Sequence, residues 1–339
     1  MKIQPPQNTV AALIDAAHEA RKEEPRPHLG CSTLGHPCDR YIWLSFRWAV
    51  QPKFPGRVLR LFRRGHMEES TIVSDLRSIG IDVRNTGAAQ SRVDLGCHVS
   101  GSIDGIIESG VPEAPKKRHV AEFKTHSKKS FDDLEKKGVQ ESKPVHYVQM
   151  QLYMHGLEID LALYLAVCKD DDRIYTERVR YDKDVAEKYV KRGHKIAMSE
   201  RMPEPISADP SWYQCAYCDA RSFCHESKLT QHANCRTCAH VTPKPDSTWT
   251  CERHQADSIP VEFQRQGCDS HTLHPDLVPW PMRDSGIEWV AAYEVDGKVV
   301  LNGSEHFASS ELIANASACA SGDKVIGQMR ADWGGRIVG

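Results

Sequence analysis

The sequence predicts a mixed α/β fold in which a central mixed β-sheet is flanked by helices. Segments with the apolar spacing of helices alternate with short runs of strand-forming residues, and 40% apolar with 27% charged residues is a globular composition. Helices are expected at 8–22, 56–79, 128–137, 144–156 and 183–200, and strands at 81–85, 91–95, 98–107, 119–126, 160–168 and 173–181.

Local patterns justify these elements in order. In the second helical segment, Val58, Leu59, Phe62 and Ile72 recur at helical spacing. The strand-like runs after it are short and end at turn residues. The stretch ESGVPEAPKK separates the runs that end at 107 and begin at 119, which predicts a hairpin with a long loop. Two helical segments, two strands and a charged helix then complete the layers around one sheet.

The composition changes after residue 203. The Pro-rich stretch MPEPISADPSW leads into a cysteine-dense segment, and strand-like runs with one helical segment follow near the end of the chain. At roughly 100–200 residues per domain, 339 residues suit more than one domain. We predict a main domain at 1–228, a cysteine-rich module at 229–283 and a small accessory α+β tail at 284–339.

Several classes of protein are disfavoured by composition. No run of the roughly 18–20 apolar residues that span a bilayer is present, and the start of the chain lacks the pattern of an export signal. We therefore expect a cytoplasmic protein without a membrane partner. A formal net charge of −2 argues against a protein that coats nucleic acid through bulk charge. In a reducing compartment, twelve cysteines indicate metal ligands more than disulfides.

Two carboxylates and a lysine are predicted to meet at neighbouring strands. Glu122 and Lys124 share one face of their strand while Phe123 points into the core, and a hairpin can place Asp104 beside Glu122. Two carboxylates and the carbonyl of residue 123 would suit Mg²⁺ or Mn²⁺. Lys124 could orient a water or stabilise charge on a phosphate. Alone, an E-x-K pattern is also typical of any solvated strand face.

Two helical motifs accompany this centre. Glu69, in the run GHMEE, could add a third carboxylate from the preceding helix. Gln149 and Tyr153 lie four residues apart and therefore on one helical face.

These blocks, in this order, resemble the PD-(D/E)xK nuclease superfamily, and within it the RecB-like and lambda-exonuclease-like branch. The family pattern is a helix with G-x-x-x-(E/H), a strand ending in Asp, a strand with E-x-K and a helix with Q-x-x-x-Y. In this sequence the positions are held by Gly65 with Glu69, Asp104, Glu122 with Lys124, and Gln149 with Tyr153. The resemblance covers residues 30–225 and implies a restriction-endonuclease-like core.

The match departs from the family pattern at one position. Ile103 stands where the family has a proline before the Asp, and this change does not touch the metal ligands. His66 falls outside the G-x-x-x-(E/H) slot, so Glu69 is the preferred helix ligand, with Glu68 and His66 as alternatives.

The resemblance implies a metal-dependent deoxyribonuclease. One or two divalent ions, Mg²⁺ or Mn²⁺, held by Asp104, Glu122 and Glu69 would polarise the scissile phosphate and activate a water for in-line attack. Lys124 would position that water or neutralise developing charge. Gln149 and Tyr153 would brace the site or touch the DNA backbone.

A first set of cysteines is split along the chain. Cys215, Cys218 and Cys224 have the spacing C-x2-C-x5-C, and Cys38 lies far upstream in the run S-x-L-G-x-x-C-x-R. This arrangement resembles the iron–sulfur nucleases of the same branch, the CRISPR-associated and AddB-type enzymes. It implies that these four thiolates bind a [4Fe–4S] cluster that staples the chain ends around the catalytic sheet. Cys31 competes for the first position, and four thiolates would also suit Zn²⁺.

A second set follows at once. Cys235, Cys238, Cys251 and Cys268 have the spacing C-x2-C-x12-C-x16-C, which is close to that of a zinc ribbon. Nearby histidines could replace one cysteine, namely His254, His271 and His274. The remaining cysteines are interpreted as packed thiols, namely Cys31, Cys97, Cys168 and Cys319.

Basic residues cluster on both flanks of the acidic centre and predict a groove that tracks phosphates. The clusters are Arg57, Arg60, Arg63 and Arg64; Lys116, Lys117 and Arg118; and Lys128, Lys129, Lys136 and Lys137. For any single residue a solvated helix face is the simpler interpretation. Nothing indicates readout of base edges, so we expect sequence-independent binding of single-stranded DNA or duplex ends.

The leading hypothesis is an exonuclease that acts on DNA ends in recombination, repair or replication, in keeping with a phage gene and with a recombination or replication protein as partner. The alternatives are a site-specific or structure-specific endonuclease of the same superfamily, and an inactive DNA-binding scaffold. The intact Asp104, Glu122 and Lys124 argue against the scaffold.

Overall fold

The computed structural model describes residues 9–21 and 24–338. The chain divides into two compact units. Unit 1 takes in the chain up to Pro37 together with Pro52–Lys195, and unit 2 takes in Cys38–Gln51 together with the chain from Ile196 onward. Across the described ranges, no helix is long and apolar enough to cross a bilayer. The three-part division drawn from composition stays a prediction.

Helices in the described ranges vary from one turn to more than six. They are α1 (Val10–Glu19), α2 (Cys31–Leu34), α3 (Asp39–Phe46), α4 (Gly56–Ser78), α5 (Lys128–Ser142), α6 (Pro144–Leu157), α7 (Lys183–Ala197), α8 (Tyr213–Ala216), α9 (Arg221–His225), α10 (Val261–Gln266), α11 (Ser309–Ala320) and α12 (Lys324–Trp333).

Among the described residues the strands have at most five residues, except for three longer ones in unit 1, which have seven or eight. The strands are β1 (Leu29–Gly30), β2 (Asp82–Arg84), β3 (Arg92–Asp94), β4 (Val99–Ser102), β5 (Gly105–Ser109), β6 (His119–His126), β7 (Leu161–Cys168), β8 (Ile174–Arg180), β9 (Val241–Pro243), β10 (Trp249–Cys251), β11 (Met282–Arg283), β12 (Ala291–Val295) and β13 (Lys298–Asn302).

Unit 1 is built on a five-stranded mixed sheet with the order β2-β5-β6-β7-β8. Only β6 and β7 run parallel, and α5 and α6 make the crossover between them. This arrangement confirms the predicted α/β class with a central mixed sheet and flanking helices. Asn8 and Lys22, at the ends of the first predicted helix, lie outside the described residues.

An apolar core lies between one face of this sheet and α4. Ile72, Val73 and Leu76 of α4 pack with Phe123 of β6 and Leu165 of β7, all of them buried. Because side chains alternate along a strand, the neighbours of Phe123 point to the other face of the sheet. The register of β6 therefore directs its polar residues away from the α4 core.

One predicted strand is divided in the structure. The run 98–107, predicted as continuous, breaks after Ser102 into β4 and β5. β4 joins a small sheet of order β1-β4-β3, whereas β5 pairs with β6 in the large sheet. Ile103 is fully buried at the break and Asp104 follows it, so the chain passes from one sheet to the other beside the acidic centre.

Unit 2 has small sheets and a core of its own. Strands β9 and β10 form a two-stranded antiparallel ribbon, and β11-β12-β13 form an antiparallel sheet. Leu273, Tyr293, Val300 and Leu312 are buried together in one apolar cluster. The guanidinium of Arg236, also buried, lies 3.7 Å from the ring centre of Trp48. The zinc-ribbon assignment for this region stays a prediction.

Candidate active site

Asp104 and Glu122 are placed side by side by the pairing of β5 with β6. Gly105 lies opposite Ala121 in this antiparallel pair, so the next position brings Asp104 opposite Glu122. Asp104 Oδ2 accepts a hydrogen bond of 2.8 Å from the backbone N–H of Phe123. The Asp104 side chain is thereby held against the strand that carries the second carboxylate.

Lys124 lies between the two carboxylates. Its ammonium forms an ion pair with Oε1 of Glu122 and lies 3.6 Å from Oδ2 of Asp104. It also donates a 3.0 Å hydrogen bond to the Phe123 carbonyl. A single positive charge therefore faces two negative ones and a carbonyl dipole, which leaves this part of unit 1 with an excess of oxygen ligands.

Burial is the main influence on the pKa values in this cluster, and neighbouring charges modify it. Glu122 is fully buried, and burial raises its pKa to about 7, with Lys124 acting against the shift and Asp104 adding to it. Burial also raises the pKa of Glu69, and Asp104 raises it further. For Lys124, burial is outweighed by Glu122 and Asp104, and the pKa of the ammonium is raised. A bound cation would stabilise the ionised forms of the carboxylates in this cluster.

Glu69 approaches the same place from α4. It is half-buried and lines a cavity of about 510 Å³ together with Asp104, Lys124 and His66. Glu68 does not line this cavity. Of the three residues considered on this helix, Glu69 and His66 are thus brought to the acidic centre, and Glu68 is not.

Gln149 and Tyr153 lie one turn apart on α6 and contact the site from the opposite side. The Gln149 amide Nε2 donates to Glu122 Oε2 over 3.3 Å and to the Tyr153 hydroxyl over 3.2 Å. Tyr153 donates to the Ser102 carbonyl over 2.8 Å. These bonds connect Glu122 to the end of β4, so both residues position the carboxylate and the strand break beside it.

A glycine makes this approach of Tyr153 feasible. A Cβ atom at Gly101 would lie 2.8 Å from Tyr153 Cε1 and 2.9 Å from its hydroxyl oxygen. Both distances are shorter than van der Waals contact, so only a residue without a side chain lets the phenol reach Ser102.

The cavity also contains residues that the sequence did not single out. Its further lining comes from the segment before α2, from α2 itself, from the stretch before β3 and from α6, namely Arg26, His28, Ser32, Gln90 and His146. Arg26 Nη1 donates to Ser32 Oγ over 3.5 Å. The parallel pairing of Leu29 with Val99 brings this segment to the site. No spacing in the sequence could have revealed it, because the contact depends on strands about 70 residues apart.

His146 belongs to a polar chain behind the cavity. Its Nδ1 lies 2.9 Å from the Tyr164 hydroxyl, and Nε2 of His126 lies 2.8 Å from the same oxygen. Burial lowers the pKa of both imidazoles, that of His146 to about 3 and that of His126 to about 4. Neutral rings thus adjoin the site on this side, and they add no charge next to Lys124.

Within unit 2, the first cysteine set comes together. Cys38 is the residue before α3, Cys215 lies in α8, Cys218 follows α8, and Cys224 lies in α9. Burial raises the pKa of the Cys215 thiol and the neighbouring Cys38 raises it further. The thiols of Cys218 and Cys224 are likewise affected by Cys38. The four sulfurs are electrostatic neighbours.

The competitor Cys31 lies elsewhere. It is buried in unit 1, where it lines the same cavity as Glu69 and Asp104, and burial raises its pKa to about 12. Cys31 therefore does not join the three downstream cysteines.

No metal arrangement is complete as it stands in the part of the chain that the structure describes. Over these residues, no three His, Cys, Asp or Glu side chains are already arranged to hold an ion. All twelve cysteines lie in this part and form no disulfide. The iron–sulfur and zinc assignments accordingly stay predictions.

The basic clusters are divided between ion pairs and exposed side chains. Arg118 pairs with Glu108, and Lys128 and Lys137 pair with carboxylates on or near α5. Exposed members of the clusters include Arg57, Arg63, Lys116, Lys117, Lys129 and Lys136. The predicted phosphate-tracking groove stays a prediction.

Comparisons with known proteins bear on this arrangement. Among solved structures, SSO0001 shares 16% identity and a TM-score of 0.40 over 64% of this chain and 97% of its own. An alkaline exonuclease from Laribacter hongkongensis shares 14% identity and a TM-score of 0.33 over 54% of this chain and 89% of its own. A phage-related exonuclease from Haemophilus somnus 129PT shares 18% identity and a TM-score of 0.28 over 39% of this chain and 65% of its own.

The comparison with curated proteins finds no match. A family model described as the PD-(D/E)XK nuclease superfamily matches residues 6–225, which include every residue of the acidic centre. The resemblance drawn from the motifs is thereby confirmed, and the chain belongs to the PD-(D/E)XK nuclease superfamily.

Proposed function

We propose that this protein is a divalent-metal-dependent deoxyribonuclease that removes nucleotides from DNA ends. The observation that carries the proposal is the convergence of Asp104, Glu122 and Lys124 beside a cavity with a third carboxylate, Glu69. A nuclease needs ligands for a cation, a group that handles charge on the phosphate, and space for the substrate. Each of these is present in unit 1.

The donor set suits Mg²⁺ or Mn²⁺. Carboxylate oxygens are the ligands that these hard cations prefer. Burial, with a smaller contribution from neighbouring carboxylates, raises the pKa values of Glu122 and Glu69, and a bound cation would stabilise their ionised forms. Asp104, Glu122 and Glu69 would hold the ion. When bound, such an ion polarises the scissile phosphate and lowers the pKa of water.

Lys124 has a role of its own in this proposal. Its ammonium now neutralises Glu122 and lies 3.6 Å from Asp104. A cation bound by these carboxylates would neutralise their charge in place of Lys124. The ammonium would then be able to orient the attacking water or to stabilise negative charge on the phosphate.

Gln149 and Tyr153 act as positioning residues. Gln149 fixes Oε2 of Glu122 by its hydrogen bond, and Tyr153 ties Gln149 to the Ser102 carbonyl. Because both make their contacts through Glu122 or the backbone, they would set the orientation of a ligand and leave the reacting atoms to Lys124 and the carboxylates.

The DNA would be held through its phosphates. Arg26, His28 and Ser32 offer a cation and hydrogen-bond donors on the cavity wall, and exposed lysines and arginines of the basic clusters would contact the backbone farther away. These groups recognise phosphate rather than base edges. We therefore expect sequence-independent action on single strands or duplex ends, as in recombination, repair or replication.

We further propose a [4Fe–4S] cluster on Cys38, Cys215, Cys218 and Cys224. Support comes from the mutual proximity of these thiols in unit 2 and from the four thiolates that such a cluster requires. The second cysteine set takes no part in the proposed reaction. A structural Zn²⁺ ion there would support folding of unit 2.

The test uses linear duplex DNA and closed circular DNA of the same sequence, with Mg²⁺ or Mn²⁺ and with EDTA. We expect metal-dependent digestion of the linear DNA while the circle persists. Asp104→Ala and Lys124→Ala should abolish digestion and retain DNA binding, whereas Lys191→Ala, exposed on α7 and outside the basic clusters, should retain both. Cleavage of circles would replace the exonuclease by an endonuclease, and undiminished digestion by both site variants would overturn the nuclease assignment.

A further inference from the structure

A second group of four cysteines in unit 2 converges on one cavity. Cys235 opens a 3-10 turn, Cys238 follows it, Cys251 ends β10, and Cys268 lies two residues after α10. All four line a cavity of about 290 Å³. Burial, together with the nearby sulfurs of the other three cysteines, raises the pKa of Cys235 to about 12. Three separate segments of the chain thus bring their thiols to one place.

Two backbone groups contact the sulfur of Cys238. Burial is the larger influence and its pKa is raised to about 11, while hydrogen bonds with the backbone of Thr272 and His240 act against this shift. An N–H donor stabilises a sulfur that carries negative charge, and the thiolate is the form that binds a metal ion. A thiol that only fills space in a core has no need of two such donors.

The backbone also directs Cys268 toward the others. Gly267 closes α10 with a left-handed conformation, φ +69°, and its N–H donates to the Phe263 carbonyl over 3.1 Å. A Cβ atom at Gly267 would lie 3.0 Å from the Ala233 carbonyl oxygen. This tight turn holds Cys268 next to the segment that carries Cys235.

Two of the three nearby histidines are already engaged. His271 contacts the Ser309 hydroxyl through Nδ1 at 2.7 Å and the Asn234 carbonyl through Nε2 at 3.0 Å. His274 Nδ1 accepts from the backbone N–H of Asp276 over 3.1 Å. His254 contacts one of the cysteines directly, with Nε2 at 3.7 Å from the Cys268 sulfur, and His240 and His271 line the same cavity. His254 can donate a hydrogen bond to a thiolate without being a ligand.

We propose that Cys235, Cys238, Cys251 and Cys268 bind one structural Zn²⁺ ion, with His254 hydrogen-bonded to the Cys268 thiolate. Four thiolates in tetrahedral array are a standard structural zinc site. Cys235 now lies 3.5 Å from the Phe263 carbonyl and Cys268 faces His254. Over the described residues no three His, Cys, Asp or Glu side chains are already arranged to hold an ion, so the proposal includes a rearrangement of these side chains when zinc binds. Zinc would then link the β9–β10 ribbon, the 3-10 turn and the segment after α10.

Metal analysis of the full-length protein tests the site. Zinc and iron are measured by mass spectrometry after anaerobic purification, with about one zinc per chain expected. Cys251→Ser and Cys268→Ser should lose at least about nine-tenths of the zinc and keep the iron. His254→Ala and Cys319→Ser should keep both metals. Wild-type protein without zinc, or cysteine variants that retain it, would overturn the proposal.

X-ray absorption at the zinc edge covers the case in which the cysteine variants fail to fold, because it uses wild-type protein. Four sulfur neighbours at about 2.3 Å are expected. Three sulfurs with one nitrogen would make His254 a ligand and refute the four-thiolate site. Oxygen neighbours would indicate adventitious zinc and refute it as well.

Discussion

Gln149 and Glu122 are joined by a hydrogen bond from Nε2 to Oε2 over 3.3 Å. The other carboxylate oxygen of Glu122 meets Lys124. The two oxygens of one buried carboxylate are therefore assigned to different partners, one on α6 and one on β6. This division orients the Glu122 side chain before any cation or DNA arrives.

Removal of the Gln149 amide should alter the pH dependence of the reaction. Gln149→Ala is expected to lower the rate about 10- to 100-fold, the value of a hydrogen bond to a charged group. Because the amide stabilises the ionised form of Glu122, its loss should raise the pKa of this carboxyl and move the acid limb of the rate profile to higher pH. Exposed Gln140→Ala is the control. A lower rate with an unchanged profile would contradict the positioning role.

The neighbouring glutamates on α4 should differ in their effect on metal dependence. Glu69 lines the cavity and Glu68 does not, so Glu69→Gln is expected to raise the Mg²⁺ concentration for half-maximal activity at least about 10-fold, whereas Glu68→Gln should leave it unchanged. Titration of activity with Mg²⁺ measures both. Equal effects of the two substitutions would remove Glu69 from the site.

Without divalent cations, the contribution of Glu122 to the free energy of unfolding should fall as the pH rises toward neutrality. Burial raises the pKa of Glu122 from its ordinary value of 4.5 to about 7 in the folded chain, so between these values the folded state binds more protons than the unfolded state. The contribution of this carboxyl to the free energy of unfolding then decreases with rising pH. Buried His126 and His146, with lowered pKa values, act in the opposite direction.

The comparison with Glu122→Gln isolates this contribution. Melting temperatures are measured in EDTA at about pH 5 and about pH 7. Between the lower and the higher pH, the melting temperature of the wild type should fall more, or rise less, than that of the variant. Mg²⁺ added at the higher pH should raise the melting temperature of the wild type back by this difference, and should not do so for the variant. Identical pH dependence of the two proteins would show that Glu122 ionises normally.

A methyl group at Gly101 should displace Tyr153. Gly101→Ala is expected to destabilise the protein by about 1–3 kcal/mol through overpacking and to lower activity, since the added Cβ would lie 2.8 Å from the tyrosine ring. Gly327→Ala, in α12 with no atom within 4 Å of the new Cβ, should be neutral or slightly stabilising. Denaturant unfolding compares the pair, and equal stabilities would contradict the close approach.

Iron content should separate the first cysteine set from the other thiols. Cys224→Ser is expected to abolish the broad visible absorption of an iron–sulfur cluster and most of the iron, whereas Cys31→Ser and Cys97→Ser should retain both. Cys31 lies at the cavity of unit 1 and apart from the four thiols. Loss of iron in Cys31→Ser with retention in Cys38→Ser would reverse the choice of first ligand.

The candidate site residues could be assigned to common faces from the sequence because their spacing is local. Glu122 and Lys124 share a strand face, and Gln149 and Tyr153 share a helix face, so each pair follows from the period of its element. The strand at 98–107 could not be predicted correctly. It is divided at Ile103 because its two halves pair with strands of two different sheets. A pattern of alternating residues does not specify which strand each half pairs with.

The sequence by itself determined the α/β class, the superfamily and the candidate residues of the acidic centre, because these depend on short-range periodicity and on a few residues in fixed order. Only the tertiary structure decided that Arg26 and Ser32 line the cavity, that Cys38 rather than Cys31 meets the downstream thiols, and that His254 faces the second cysteine set. Such contacts join segments far apart in the chain. They are set by strand register and packing, which no local pattern specifies.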